Sequence, residues 1–360
     1  MKKPLNLASD NVHGAHPRVL AALARCNEGA AGSYGADPVT ARAEALLREL
    51  FAAPEAVVRL VATGTAANAL VCAQLSPGYG RIYCHEDAHV RCDECSAPEF
   101  FTHGARLVGV GGTHGRIDPA LLERAVAAAA GGSLNDGMNA LVSVTNATEW
   151  GTCYAPQDLR AIAAIAHGAG MRVHLDGARL ANAVAALGVQ AAAFGPGAGV
   201  DALCLGATKN GAIAAEAMIF FDPGLAQGFD WRRKQAGHVW SKQRFLAAQI
   251  VALFEDGLWL ELAAHANAMA AALGQGIAGA GLALVAPVEA NEVFARLPAA
   301  LHRRACGAGL VCHLWPDPAI PDPAGPAEGA GEETVVVRLV TGWATTPDEI
   351  GQVVAVLSAG

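Results

Sequence analysis

The stretch VHLDGARLANA, residues 173–183, sets strand-like residues before an acid, a glycine and an arginine, and then runs on as a helix. A strand buried in a parallel sheet reads as an apolar run, and such sheets take their ligands outside the carboxyl ends of the strands. Asp176 stands at that end, with the planar cation of Arg179 just beyond it. On these residues alone, a cap for the helix that follows is the simpler reading of Asp176. Downstream, LCLGATKNGAIAAEAMIFF (203–221) puts Lys209 just past a strand end in a largely apolar stretch. Apolar surroundings disfavour the ammonium and supply a free amine that attacks carbonyls, unless the lysine buries its stem and carries its head to solvent. Upstream, VATGTAANAL (61–70) reads as strand, small-residue turn and helix. The first backbone N–H groups of such a helix bind phosphate, with Gly64 allowing close approach and Thr65 adding a hydroxyl. An ordinary turn with a threonine cap accounts for the same residues.

The elements that must position these groups follow from composition and periodicity. A chain of 360 residues with 53% hydrophobic content can bury a large core and is expected to form one large domain plus a smaller one. Apolar strands and alanine-rich helices alternate from about 55 to 220, which predicts βαβ units, a mainly parallel sheet and right-handed crossovers. From about 231 to 277 the sequence reads as continuous helix broken at Gly257. EVFARLP, TVVVRLVTGW and the helix TPDEIGQVVAVL then suggest a small α+β domain. PDPAIPDPAGPAEGAGEE is too rich in proline and glycine to be anything but a loop. The expected division is a large domain over 1–255, with an N-terminal arm over 1–40, and a small domain over 256–360.

A net charge of −8 with no basic cluster argues against nucleic acid as a partner. No apolar run is long enough to span a bilayer, and none follows the lysines of the start MKKPLNLASDNVHG, so no membrane partner and a cytoplasmic setting are expected. Nine cysteines, an odd number scattered through apparent strands and helices, suit reduced thiols better than a disulfide framework. Cys84, His85, His89, Cys92 and Cys95 include an H-x-x-C-x-x-C spacing that could bind zinc, although structural zinc usually stabilises smaller modules than this. No metal is expected.

A phosphate cradle, an acid at one strand end and a lysine at another, in that order, are the parts that a pyridoxal 5'-phosphate site needs. With LASDNVHGAHP, SYGADP, ATGTAAN, VHLDGAR, TKNGA and VVVRLVTGW, the sequence resembles the threonine aldolases within the fold-type I pyridoxal-phosphate enzymes almost end to end. The resemblance implies an α/β fold with a mainly parallel, seven-stranded-type sheet flanked by helices. It also implies retro-aldol cleavage of an L-β-hydroxy-α-amino acid (threonine, allo-threonine or phenylserine) to glycine and an aldehyde. By the same resemblance Lys209 carries the Schiff base, Asp176 pairs with the pyridine nitrogen, and Arg179 reaches the ring's 3-oxygen and the substrate carboxylate. Gly64, Thr65 and Thr208 hold the cofactor, His89 stacks on its ring and takes part in proton transfer, and Ser9 and Arg338 bind the substrate carboxylate. A homodimer or homotetramer is implied, with the site completed across an interface.

Three stretches depart from the better-known pattern. Thr208, Asn210 and Gly211 stand where serine and glycines surround the lysine. TNATEWGT, with Thr148, Glu149 and Trp150, stands where many relatives carry a second histidine. GHVWSKQRF replaces a segment whose arginine reaches a neighbour's phosphate, leaving Lys242 or Arg244 for that task. Two rivals stay open: another pyridoxal-phosphate lyase that works by β-elimination, and a non-catalytic or metal-organised α/β binding protein.

Overall fold

The computed structural model describes residues 4–129, 134–316 and 334–358. Its strands are β1 (Leu5–Asn6), β2 (Val57–Val61), β3 (Gly80–His85), β4 (Arg106–Val110), β5 (Met138–Thr145), β6 (Arg172–Gly177) and β7 (Ala202–Gly206). After these come β8 (Glu216–Phe220), β9 (Ala283–Leu284), β10 (Glu292–Pro298), β11 (Leu310–Val311), β12 (His313–Trp315) and β13 (Thr334–Val340), and a small hairpin at 112–117 is left unlabelled. Seven strands form the main sheet in the order β2-β8-β7-β6-β5-β3-β4. β8 runs antiparallel to both of its neighbours, β2 and β7, and the other pairings are parallel. This is the mainly parallel α/β sheet that the alternation of strands and helices predicts. β7 and β8 are buried along their whole length because helices cover both faces, which is why their sequences read as apolar runs, interrupted in β8 only by Glu216 at its start.

The largest apolar core unites this sheet with the helices Pro38–Leu50, Pro156–Gly168, Leu180–Leu187 and Arg244–Phe254. A second core lies under a four-stranded sheet ordered β9-β10-β13-β12, against the helices Leu258–Gly279 and Pro347–Ser358. Leu258–Gly279 contributes its first turns to one core and its later turns to the other. The N-terminal segment also links them, since β1 pairs in parallel with β11, and Leu5 and Leu7 are buried in the second core. Among the described residues, no helix is long and apolar enough to cross a membrane.

Two local expectations are corrected. The helix expected from 231 to 277 is three helices, Phe229–Gln235, Arg244–Phe254 and Leu258–Gly279. Gly257 (φ 75°) is a break as expected, but Gly237 (φ 79°) makes another. A residue in the left-handed region ends an α-helix, so the segment between 236 and 243 is a turn. Asp176 does not cap the helix that follows it, because that helix starts at Leu180 behind Arg179 and has no side-chain cap. Apart from Pro316, the proline- and glycine-rich loop lies outside the described residues.

Candidate active site

The carboxyl ends of β2, β5, β6 and β7 open on one cavity of ≈ 600 Å³. At the end of β6, Asp176 is 3% exposed. Its Oδ1 accepts the Ala178 N–H (3.0 Å) and its Oδ2 accepts from Asn68 Nδ2 (2.8 Å). Asn68 gives its other N–H to Glu94 Oε1 (2.8 Å), the same oxygen that meets His89 Nδ1 at 2.8 Å. One amide therefore ties Asp176 to the Glu94–His89 pair. Burial alone lowers the imidazole's affinity for a proton, but the bond to Glu94 and the nearby Asp176 outweigh it and hold His89 above the ordinary histidine value.

Past β7, Thr208 and Lys209 lie in a short turn, both half-buried on the cavity wall. Thr208 Oγ1 donates to Glu216 Oε1 and accepts the Ala215 N–H (3.2 Å), while Ala207 N–H donates to Glu216 Oε2 (3.3 Å). Burial pushes the Glu216 carboxyl up to about 7, against these hydrogen bonds and the pull of Lys209. The expected apolar setting of Lys209 is thus corrected: the strands around it are apolar, but the amine enters a cavity with Asp10, Glu216 and Glu292 in electrostatic reach. The sequence pattern reported the strand interior and missed the acids brought in from other segments.

Next to β2, the helix Gly64–Leu75 presents its first turn to the cavity through Thr63, Gly64 and Thr65. The threonine cap is Thr63, whose Oγ1 accepts the Ala66 N–H (3.2 Å), so the Thr65 hydroxyl is not spent on capping. A Cβ built on Gly64 would meet nothing within 4 Å, which leaves the space before the backbone amides open.

The opposite wall comes from the N-terminal segment and the second sheet. Arg179 is gripped by buried Asp10 through Nε–Oδ2 (2.7 Å) and Nη2–Oδ1 (3.2 Å), with Glu292 Oε1 at 3.5 Å from Nη2. Asn291 Nδ2 also donates to Asp10 Oδ2 (3.2 Å). Burial raises the Asp10 carboxyl, yet the neighbouring cations and donors bring it below its ordinary value. Ser9 Oγ accepts the Asn11 N–H (3.1 Å) and donates to Asp10 Oδ1 (3.4 Å). On β13, Val337 and Leu339 are fully buried, which turns Arg338 to the other face. That face is the cavity, where the Arg338 guanidinium lies 4.8 Å from the Trp315 ring centroid and its Nε has no hydrogen-bond partner.

Residues 6–300 match the family model described as beta-eliminating lyase. The chain is 44% identical over 291 residues to a low specificity L-threonine aldolase from Pseudomonas aeruginosa, covering 81% of this chain and 83% of that one. A second low specificity L-threonine aldolase, from a Pseudomonas species, is 43% identical over the same shares. The chain belongs to the threonine aldolases, within the beta-eliminating lyase family. The structure of a threonine aldolase from Leishmania major superposes with a TM-score of 0.89 at 29% identity, over 98% of both chains. A serine palmitoyltransferase from Sphingomonas wittichii (TM-score 0.68, 18% identity, 99% and 87% covered) shares the fold.

Of the residues singled out from the family resemblance, Ser9, Gly64, Thr65, His89, Asp176, Arg179, Thr208, Lys209 and Arg338 line the cavity. Lys242 does not: it is exposed in the turn before Arg244–Phe254. In the departing TNATEWGT stretch, Thr148 Oγ1 is tied to Thr152 Oγ1 (2.9 Å) and to the His114 carbonyl, while Glu149 lines the cavity. Among the described residues, no group of three or more His, Cys, Asp or Glu side chains could hold a metal. Cys84 is buried in the sheet, Cys92 and Cys95 are exposed, and His89 is turned to Glu94. Sequence reasoning missed Asp10, Asn68, Glu94, Glu216, Glu292 and Trp315. Glu216, an acid in an otherwise apolar strand, and Glu94, five residues past His89, were readable as signals; the others have none without the fold.

Proposed function

We propose that this chain is a pyridoxal 5'-phosphate-dependent aldolase that cleaves an L-β-hydroxy-α-amino acid such as threonine, allo-threonine or phenylserine into glycine and an aldehyde. The observation that carries the reading is the convergence on one cavity of Lys209, Asp176 and the open Gly64–Thr65 turn, with Arg338 on the facing wall. The cavity fits such a cofactor: the backbone amides beyond Gly64 face open space, and several buried polar atoms on its walls lack hydrogen-bond partners, among them Asn68 Oδ1, Glu94 Oε2, Glu149 Oε2, both oxygens of Glu292 and Arg338 Nε.

When bound, the cofactor supplies a carbonyl carbon for an amine and a ring that accepts the electron pair left at Cα when the Cα–Cβ bond breaks. Lys209 provides the amine that anchors it. Asp176 has lone pairs left to accept a pyridinium N–H, and the Asn68 and Ala178 donors fix where that carboxylate points. Gly64, Thr65 and Thr208 would hold the phosphate, and His89, its imidazole oriented by Glu94, would lie against the ring. Arg338 and Ser9 hold the substrate carboxylate, and Arg179 stands beside them under the grip of Asp10. A carboxylate held at a fixed place would orient the substrate at Cα, and that orientation would select the bond that breaks.

The chain works as a homodimer or homotetramer in this reading. Among the described residues, the lysine and arginines lining the cavity, Lys209, Arg179 and Arg338, each have another task and leave no further cation for a phosphate at Gly64–Thr65. Exposed Lys242, or Arg244, is the candidate to reach a neighbouring copy's phosphate. Nine free thiols fit a reducing cytoplasm. Product analysis with threonine, allo-threonine and phenylserine tests the proposal: aldehyde and glycine are expected, whereas a 2-oxo acid with ammonia would assign β-elimination.

A further inference from the structure

We propose that Glu149, through Oε2, is the group that takes the proton from the substrate's β-hydroxyl, an inference that rests on the aldolase reading above. Glu149 follows the end of β5, is 6% exposed and lines the cavity between His89 and Arg179. Its Oε1 accepts the backbone N–H of His89 at 2.8 Å, which fixes the carboxyl, and its Oε2 has no hydrogen-bond partner.

The other buried acids around the cavity are each engaged by a neighbouring side chain, although Glu94 Oε2 and Glu292 Oε2, like Glu149 Oε2, lack a hydrogen-bond partner. Asp176 is bonded to Asn68 and Ala178, Asp10 to Arg179, and Glu216 uses both oxygens on Thr208 and Ala207. Glu94 holds His89 through Oε1, and Glu292, whose carboxyl burial raises, is paired with Arg179 and has Arg338 in electrostatic reach. The His89 imidazole is shifted toward its protonated form by Glu94 and Asp176, and its Nδ1 is taken up by Glu94. The groups facing Glu149 are the His89 N–H, Thr145, Asp176, Arg179, Cys84 and Tyr154. Burial, aided by Asp176, pushes the Glu149 carboxyl up to about 7, against the pull of the His89 N–H and Thr145. A carboxyl poised there suits proton transfer near neutrality.

In the step itself, Oε2 takes the hydroxyl hydrogen, the O–H electron pair becomes the second C–O bond of the aldehyde, and the Cα–Cβ pair stays with the glycine fragment. Glu149 then returns that proton to solvent, and Cα takes one from a group other than Glu149, so the net reaction neither consumes nor releases protons.

The test uses the cofactor-loaded enzyme and its Glu149→Gln and Glu149→Asp variants. Gln keeps an oxygen for the His89 N–H but cannot accept the hydroxyl proton. Two reactions are compared: aldehyde release from threonine or phenylserine, and exchange of the glycine Cα proton for deuterium followed by NMR, which involves no hydroxyl. For Glu149→Gln the expected result is cofactor absorbance as in the wild type, glycine exchange within about threefold, and kcat for cleavage down by a factor of about 10² or more with KM little changed. The acidic limb of the kcat–pH profile disappears in Glu149→Gln and persists in Glu149→Asp. Cleavage by Glu149→Gln near the wild-type rate overturns the proposal, and so does an equal loss of exchange and cleavage, which would make Glu149 a structural support for His89. A wild type that exchanges glycine yet releases no aldehyde would instead defeat the aldolase reading.

Discussion

Replacing Arg338 by alanine tests the substrate clamp directly. The alternation along β13 aims this side chain into the cavity, where it stacks on Trp315 and keeps donors free for a carboxylate. Removing one partner of a buried, hydrogen-bonded charge pair costs about 3 to 5 kcal/mol. Arg338 is only half-buried, so the lower end applies, and about 3 kcal/mol corresponds to a fall in kcat/KM of roughly two powers of ten. Arg338→Lys keeps the charge but loses the planar fork and most of the stacking, for a loss of about tenfold. Trp315→Ala removes the cation–π contact, worth about 1 kcal/mol or roughly fivefold, together with the ring contacts of Trp315 to Trp150 and Phe294. Steady-state cleavage of threonine and phenylserine is the assay, with cofactor absorbance as a check that loading is intact. A kcat/KM for Arg338→Ala within threefold of wild type would refute the clamp.

Lys209→Ala is expected to abolish both cleavage and covalent cofactor attachment; borohydride reduction and peptide mapping of the wild type check the assignment, and label on any other lysine counts against it. Glu216 keeps its proton in the folded chain up to about 7, whereas in the unfolded chain it ionises near 4.5, so its contribution to stability is lost as pH rises through that window, a change of about 3 kcal/mol. Glu216→Gln should therefore gain on the wild type between pH 4.5 and 7.5 in denaturant titrations, and a constant difference across that range would contradict the raised value. Light scattering at dilute concentration is expected to find a dimer or tetramer as the active species, and a fully active monomer would exclude a site completed by a neighbour.

The sequence by itself determined the sheet strands and where they stop, because a strand buried on both faces needs a run such as ALCLG or VVRLV, and a polar residue after that run has nowhere to go but the strand end. Asp176, Lys209 and Gly64 were legible for this reason, since each owes its position to the few residues before it. The turn after Gln235 was legible only in part, because Gly237 tolerates a helix in sequence and breaks it through its own backbone conformation. Tertiary structure alone decided which groups meet. Asp10 reaches Arg179 because β1 pairs with β11 and carries the N-terminal segment over the sheet ends. Glu292 and Arg338 enter because the antiparallel register of β10 and β13 sets them along the cavity. The alternation of β13 left open whether Arg338 faced solvent or a ligand, since a period of two tells the faces apart but not what lies beyond each. Contacts between residues so far apart in the chain depend on how two cores pack through the shared helix Leu258–Gly279, and local periodicity carries no record of that packing.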